Sequence, residues 1–207
     1  MRELELHIFD FDGTLFRSPT PPESYGKRGW WDDPRSLEPP CVPEKPGGEW
    51  YNSTVVSAFK KAKADPEAVT VVMTGRLSYF RQRVKQLCAA GGINPDELIL
   101  KQSGGGATEV YKIGAMRYLL KQMPYCKKVE FWEDRHHHLK NFGRYIESKG
   151  YDFVGHPVKA QDRPAACDIS PIASRVARKW MLEQATKRVA GRPRKNALIR
   201  HTVPPDL

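Results

Sequence analysis

The chain has no apolar run approaching the roughly 18 residues of a membrane-spanning helix, and its mean hydropathy is −0.60. Cysteine is scarce: Cys41, Cys88, Cys126 and Cys167 stand far apart and none belongs to a CxxC pair. That spacing argues against a zinc-ribbon site or a dense disulfide framework, so reduced thiols are expected. The opening Met1-Arg2-Glu3-Leu4-Glu5-Leu6 lacks the unbroken apolar stretch of an export signal, and an intracellular protein with no membrane partner is expected. No internal repeat is visible at a fixed period. What is present, 40% hydrophobic and 28% charged residues over 207 positions, fits a globular domain with one core rather than a coiled coil or a disordered chain.

Acidic residues are in deficit, 24 against 34 basic ones, for a net charge of +10. The imbalance is uneven. Between Pro171 and Leu207 nine basic residues, including Arg192, Arg194 and Lys195, face only Glu183 and Asp206. A nearly neutral body with a basic end suits a polyanionic partner, because Lys and Arg that neutralise phosphates release counterions. A solvated basic helix is the alternative.

Leu4, Leu6 and Ile8 alternate with Glu3, Glu5 and His7 and run into Phe9-Asp10-Phe11, a predicted first strand with acids at its end. From Arg17 to Tyr51 eight prolines prevent regular helix or central strand, while Trp30, Trp31 and Trp50 argue against disorder. Beyond Ser53 the spacing predicts a helix through Ala62, a strand over 69–73 ending at Thr74-Gly75-Arg76, and a helix over about 78–90. A strand at 98–100, a helix over 108–122, a strand at 129–132, a helix over 139–149 and a fifth strand at 151–154 follow. Such alternation predicts an α/β fold with a parallel sheet covered on both faces and a site at the carboxyl ends of its strands.

Three of those strand ends carry the polar residues that phosphate chemistry needs. Asp10 and Asp12 follow the first strand, Thr74 the second, and Glu133 with Asp134 the fourth. Residues i and i+2 of an extended chain point the same way, so Asp10 and Asp12 can face one site, and Gly13 lets the backbone turn away without a side-chain clash. A DxD pair alone is weak, since most such pairs are turn or capping acids.

The match extends further. Asp10-Phe11-Asp12-Gly13-Thr14-Leu15-Phe16 resembles the first motif of the haloacid dehalogenase-like (HAD) phosphohydrolases, Val71-Val72-Met73-Thr74 the second, Lys112 the third and Glu133-Asp134 the fourth. Gly29-Trp30-Trp31-Asp32-Asp33-Pro34, Trp50, Asn52, Thr74-Gly75-Arg76, Tyr111-Lys112 and Glu133-Asp134-Arg135 with His138 resemble, more narrowly, the HAD family of the Swiss Army Knife RNA-repair proteins. The Thr-Gly-Arg run also resembles the phosphatase half of polynucleotide kinase-phosphatases. The resemblance implies a three-layer Rossmannoid fold over residues 1–170 with a small Pro/Trp-rich, cap-like insertion at about 17–52, then a basic helix and tail over 171–207.

It further implies a magnesium-dependent phosphatase acting on a terminal phosphate of RNA or another nucleic acid, with nucleotides or small metabolites as the alternative substrates. A noncatalytic nucleic-acid-binding module on the same fold is the alternative of another class. A carboxylate attacking a phosphoester needs a cation and positive groups to offset repulsion, and oxygen-only ligands favour Mg2+. Asp10 is then the nucleophile, and Asp10 with Asp134 the metal ligands. The backbone carbonyl of Asp12 and, more remotely, Glu133 add to that set. Asp12 serves as acid and then base. Thr74 donates to a phosphoryl oxygen and Lys112 balances its charge, with Lys101 the alternative lysine. Gly13, Gly75, Arg76, Arg135, Trp30 and Trp31 complete the expected phosphate and substrate contacts.

The remaining features are plainer. Gly104-Gly105-Gly106 reads as a loop. The triple histidine 136–138 offers no set of ligands at metal spacing in the sequence itself. Ile172, Val176, Trp180, Ala185 and Val189 have amphipathic helical spacing, and Gly191-Arg192-Pro193-Arg194-Lys195 resembles part of an AT-hook that lacks its preceding proline-arginine. A general contact to a phosphate backbone is the expectation there.

Overall fold

The Leu4–Asp10 strand, β1, is buried on both faces, as the central strand of a parallel sheet must be. Leu6 and Ile8 pack on one side, and Phe9 packs on the other. The computed structural model describes residues 3–22, 25, 29–102 and 106–159. Around β1 it places β2 (Ala68–Leu77), β3 (Glu97–Lys101), β4 (Cys126–Glu133) and β5 (Asp152–Pro157), all parallel, in the order β3-β2-β1-β4-β5. The chain winds one way from β1 to β3 and the other way from β4 to β5. The order therefore reverses between β1 and β4, the position at which doubly wound sheets open a crevice beyond their strand ends.

Among the described residues four helices cover the sheet: α1 (Ser53–Ala64), α2 (Arg81–Ala90), α3 (Thr108–Gln122) and α4 (His136–Glu147). Asn52 caps α1 by accepting from the Val55 backbone N–H, and Val55, Val56, Phe59 and Ala62 form its buried stripe. That stripe and Val84, Leu87 and Cys88 of α2 share one core with Phe9 and Val72. On the opposite face Met116, Leu119 and Leu120 of α3 join Phe142 and Ile146 of α4 over Leu6, Ile8 and Phe131. Lys112 lies on the same inward stripe as Met116, Leu119 and Leu120, one turn closer to the strand ends. The helix that seals this face thereby carries an ammonium group to the site.

The elements agree with the expected α/β alternation and differ at their edges. β2 continues through Thr74-Gly75-Arg76, where its register against β3 shifts, so the run is a bulge inside a strand rather than a loop after one. α2 is preceded by a single 3-10 turn, Ser78–Phe80, and α4 begins at His136, earlier than apolar spacing predicts.

The insertion contains three short 3-10 turns, Trp30–Asp32, Pro34–Leu37 and Gly48–Trp50. Its two ends are tied together where Arg17 N–H donates to the Trp50 carbonyl and Asn52 N–H to that of Leu15. Leu37, Val42 and Trp50 enter the main core with Phe16. The Arg83 guanidinium of α2 donates to the carbonyls of Leu37, Pro43 and Glu44 at 2.8, 2.8 and 3.1 Å. The insertion is held to the sheet domain by apolar packing and by buried arginines, Arg83 here and Arg76 at its Trp31 and Ser36.

Cys41 is disulfide-bonded, which corrects the expectation of reduced thiols throughout; Cys88 and Cys126 are free and buried. Folding sets the distance between sulfurs, and spacing along the chain does not report it. Among the described residues no helix is long and apolar enough to cross a membrane. The expected helix and basic run beyond residue 171 lie outside the described residues, as do Gly104 and Gly105 of the glycine triplet.

Candidate active site

The register that pairs Phe9 with Trp132 puts Asp10 level with Glu133, so the two acids meet across the β1–β4 boundary. Lys112 fills the space between them: its Nζ donates to Asp10 Oδ1 at 2.6 Å and to Glu133 Oε2 at 2.7 Å. The lysine is 2% exposed, and the ion pairs hold its pKa above the ordinary value although burial alone pulls it down. Burial and the neighbouring Glu133, Asp134 and Asp12 charges push Asp10 well above the usual carboxylate range, against the pull of Lys112. Glu133 goes the other way: burial raises it, but Lys112 and the surrounding His138 and Asp134 contacts hold it far below. Three carboxylates, those of Asp10, Glu133 and Asp134, each present an oxygen within 4.8 Å of the others'. Among the described residues one lysine, Lys112, is paired with them. An oxygen-only set with excess negative charge fits a hard divalent cation such as Mg2+.

Asp12 belongs to a second constellation. Its carboxylate accepts from Ser18 Oγ at 2.6 Å, Thr74 Oγ at 3.0 Å, and Arg76 Nε and Nη2 at 3.0 and 2.8 Å. Burial pushes Asp12 up, but the Arg76 charge and these hydrogen bonds prevail and hold it below the ordinary value. Arg76 is 2% exposed, and its remaining nitrogen, Nη1, donates to the Trp31 carbonyl at 3.1 Å and to Ser36 Oγ at 2.5 Å. Its guanidinium carbon lies 5.0 Å from the Trp31 ring centre and 5.1 Å from that of Phe80.

An open cleft of about 300 Å³ lies over these groups, lined by Asp10, Asp12, Arg76, Lys112 and Glu133 and by Trp31, Asp32, Gly75, Lys101, Thr108 and Arg135. Several expected contacts are placed differently from the sequence reading. Thr74 is fully buried, donates its hydroxyl proton to Asp12 and accepts from the Arg76 N–H at 3.1 Å, so it holds the Asp12 carboxylate. Trp30 is 1% exposed, donates its indole N–H to the Pro19 carbonyl and packs edge-on against Tyr25. A base has no access to Trp30; of that pair only Trp31 faces the cleft. Gly13 has φ 81°, a left-handed conformation that favours glycine, in the turn that closes with its N–H donating to the Phe16 carbonyl. At Gly75 a Cβ would meet Thr108 Cγ2 at 2.7 Å, so this glycine permits β2 to pass close under the start of α3. Arg135 is exposed on the rim, and Lys101 donates to the Gly106 carbonyl there.

Sequence reasoning missed Ser18, Ser36, Asp32 and Thr108. Asp32 stands inside the Trp-Trp-Asp run but without an assigned role there, and Ser18, Ser36 and Thr108 stand in no motif; they reach the site from the insertion or from the start of α3.

A parallel sheet in this order, with acids at the ends of β1 and β4 and a lysine between them, defines a HAD-like domain. Over residues 11–169 the chain matches the family described as HAD domain family 1 in Swiss Army Knife RNA repair proteins, and it belongs to that family. An uncharacterised protein of Saccharomyces cerevisiae, YMR265C, is 25% identical over 171 residues, covering 70% of this chain and 37% of the yeast protein. A chain of the Pnkp1/Rnl/Hen1 RNA repair complex superposes with a TM-score of 0.53 at 14% identity, over 77% of this chain and 44% of that one. The HAD domain of the Legionella pneumophila effector Lem4 gives 0.51 at 13% identity, over 77% and 88%. Both structures are alike in fold; this chain spans less than half the length of the yeast relative and of the repair-complex chain.

Proposed function

We propose that this domain is a magnesium-dependent phosphohydrolase that removes a terminal phosphate from RNA or another nucleic acid by way of an aspartyl-phosphate on Asp10. The reading rests on Lys112 held between Asp10 and Glu133 at the floor of an open cleft. Asp10 and Asp134, with the Asp12 carbonyl and Glu133, would hold the ion. When bound, Mg2+ supplies charge that lets an anionic carboxylate approach an anionic phosphoester.

The protein groups then divide the work. Asp10 attacks phosphorus, and Lys112 offsets charge on the transferring group. Asp12 protonates the leaving oxygen and later takes a proton from water. In the resting site Asp12 is held ionised by Arg76, the form a base requires. An arriving phosphoryl group, negative and close, opposes that ionisation and competes for Arg76, so substrate itself brings Asp12 toward the acid form.

Three features support a polymer end as substrate. The insertion forms one wall of the cleft, with Trp31 and Asp32, and leaves it open. Membership of an RNA-repair HAD family and the fold shared with an RNA-repair complex point the same way. The basic run at Arg192, Arg194 and Lys195 adds charge for phosphates away from the reacting one.

The test is phosphate release from 3′- and 5′-phosphorylated oligonucleotides, mononucleotides and sugar phosphates, with and without Mg2+. Release from oligonucleotides should exceed the others, need Mg2+ and vanish in Asp10→Asn. Magnesium-dependent release from mononucleotides or sugar phosphates alone would keep the chemistry and reject the polymer. Wild-type activity in Asp10→Asn would reject the covalent route.

A further inference from the structure

The three histidines at the start of α4 do not share one environment: His138 is buried, whereas His136 and His137 are exposed. His138 Nδ1 lies 3.6 Å from Glu133 Oε2, and its Nε2 lies 3.9 Å from Glu109 Oε2 on α3. Both separations exceed a hydrogen bond, and Nδ1 is a buried nitrogen without a hydrogen-bond partner among the described residues. The other Glu109 oxygen accepts from Asn141 Nδ2 at 2.8 Å, which fixes the carboxylate. Glu109, His137 and His138 each present one donor atom within 4.8 Å of the other two.

We propose that Glu109, His137 and His138 form a second metal site, for an imidazole-preferring ion such as Zn2+, apart from the Asp10, Glu133 and Asp134 carboxylates. Two nitrogens and one carboxylate oxygen suit such an ion better than a hard one. Three protein ligands leave a further position to solvent. The positive end of α4 disfavours a cation held by charge alone, so nitrogen donation decides the choice of ion. Nε2 is the His138 nitrogen that faces Glu109, at 3.9 Å, so its lone pair serves the metal, while Nδ1 turns toward Glu133 at 3.6 Å. Glu133 also accepts from Lys112, so it joins the two sites. Spacing along the chain conceals this set because its carboxylate comes from a different helix.

The rival explanation is loose chelation by three consecutive histidines, and the experiment separates the two. The full chain is titrated with ZnCl2 by calorimetry in excess Mg2+, with circular dichroism confirming the fold of each variant. One equivalent should bind to the wild type and to His136→Ala alike. His137→Ala and Glu109→Gln should each weaken it by at least about tenfold, since even an outer partner of a ligand alters affinity about 10–100-fold. The proposal is overturned by absence of binding, by equal weakening in His136→Ala and His137→Ala, or by Glu109→Gln binding like wild type. Loss of the equivalent in Asp134→Asn would also overturn it, by placing the zinc among the carboxylates.

Discussion

Removing the Arg76 guanidinium should destabilise the protein more than any other single change on the β2 side of the site. The side chain is almost wholly buried and makes a forked contact to Asp12, with nitrogen–oxygen distances of 2.8 and 3.0 Å. In Arg76→Ala the Asp12 charge remains, still accepting from Ser18 and Thr74 but without a cation. Breaking one side of a buried pair costs about 3–5 kcal/mol. For a chain of this size each kcal/mol lowers Tm by about 2–4 °C, so the midpoint should fall by about 6–20 °C. Asp12→Asn removes the charge that needs the arginine. The double variant Asp12→Asn/Arg76→Ala should therefore lose less than the two singles together, with a coupling near the upper end of about 0.5–3 kcal/mol. Arg76→Lys should fall between, because one ammonium cannot serve Asp12, the Trp31 carbonyl and Ser36 from a planar fork. Differential scanning calorimetry on the four proteins provides the cycle. A drop below about 2 °C in Arg76→Ala, or additive losses in the double variant, would refute the argument that this pair is buried and mutually dependent.

Three further outcomes are expected. Lys112→Met leaves Asp10 and Glu133 facing each other without the ammonium; Mg2+ should raise its Tm more than that of the wild type, yet phosphate release should stay low at saturating Mg2+, and normal turnover would reject the assigned role of the lysine. Arg83→Ala strips three carbonyls of the insertion of their donor, so limited proteolysis should cut within 34–46 at temperatures where circular dichroism still reports a folded sheet; resistance equal to wild type would show that apolar packing alone suffices. Trp31→Ala should weaken oligonucleotide binding by about 1–3 kcal/mol with an unchanged salt slope, as loss of a stacked base would, whereas Trp30→Ala should lower Tm with the about 3–5 kcal/mol cost of emptying a packed aromatic site; reversed effects would exchange the two roles.

The strands and helices were legible because each is written locally. Val55, Val56, Phe59 and Ala62 spell a buried stripe without reference to any other segment, and Asp10, Thr74 and Glu133 mark strand ends by position alone. Lys112 was legible through its motif, and its helical phase with Met116 and Leu119 explains why it faces inward. What escaped depends on contacts between distant segments. A hydroxyl such as that of Thr74 has one proton, and whether Asp12 or a substrate receives it depends on how β1 and β2 lie side by side. The difference between Trp30 and Trp31 is likewise decided by one turn of 3-10 helix, which sends adjacent rings in different directions. Gly75 reads as a phosphate-binding glycine in sequence, yet its closest constraint is Thr108, the first residue of α3.

Those distant contacts share a centre. Arg76 touches Asp12 of the first motif, the Trp31 carbonyl and the Ser36 hydroxyl, so one guanidinium joins that carboxylate to the insertion that walls the cleft. Arg83, seven residues further along the chain, holds the next stretch of the same insertion by its carbonyls. Among its described residues the insertion has a small core of its own around Tyr25, Trp30 and Cys41, too little to fix its position unaided. Its placement is therefore set from the sheet domain, by Leu37, Val42 and Trp50 in the main core and by two buried arginines, and whatever displaces Trp31 acts through its backbone on the guanidinium that pairs with Asp12. A substrate that occupies the wall and a substrate that engages Asp12 are then not independent events. This gives a physical reason for a Thr-Gly-Arg run in β2: threonine and arginine fix the acid from one side, the arginine ties that acid to the wall, and the glycine lets the strand carrying both pass beneath α3.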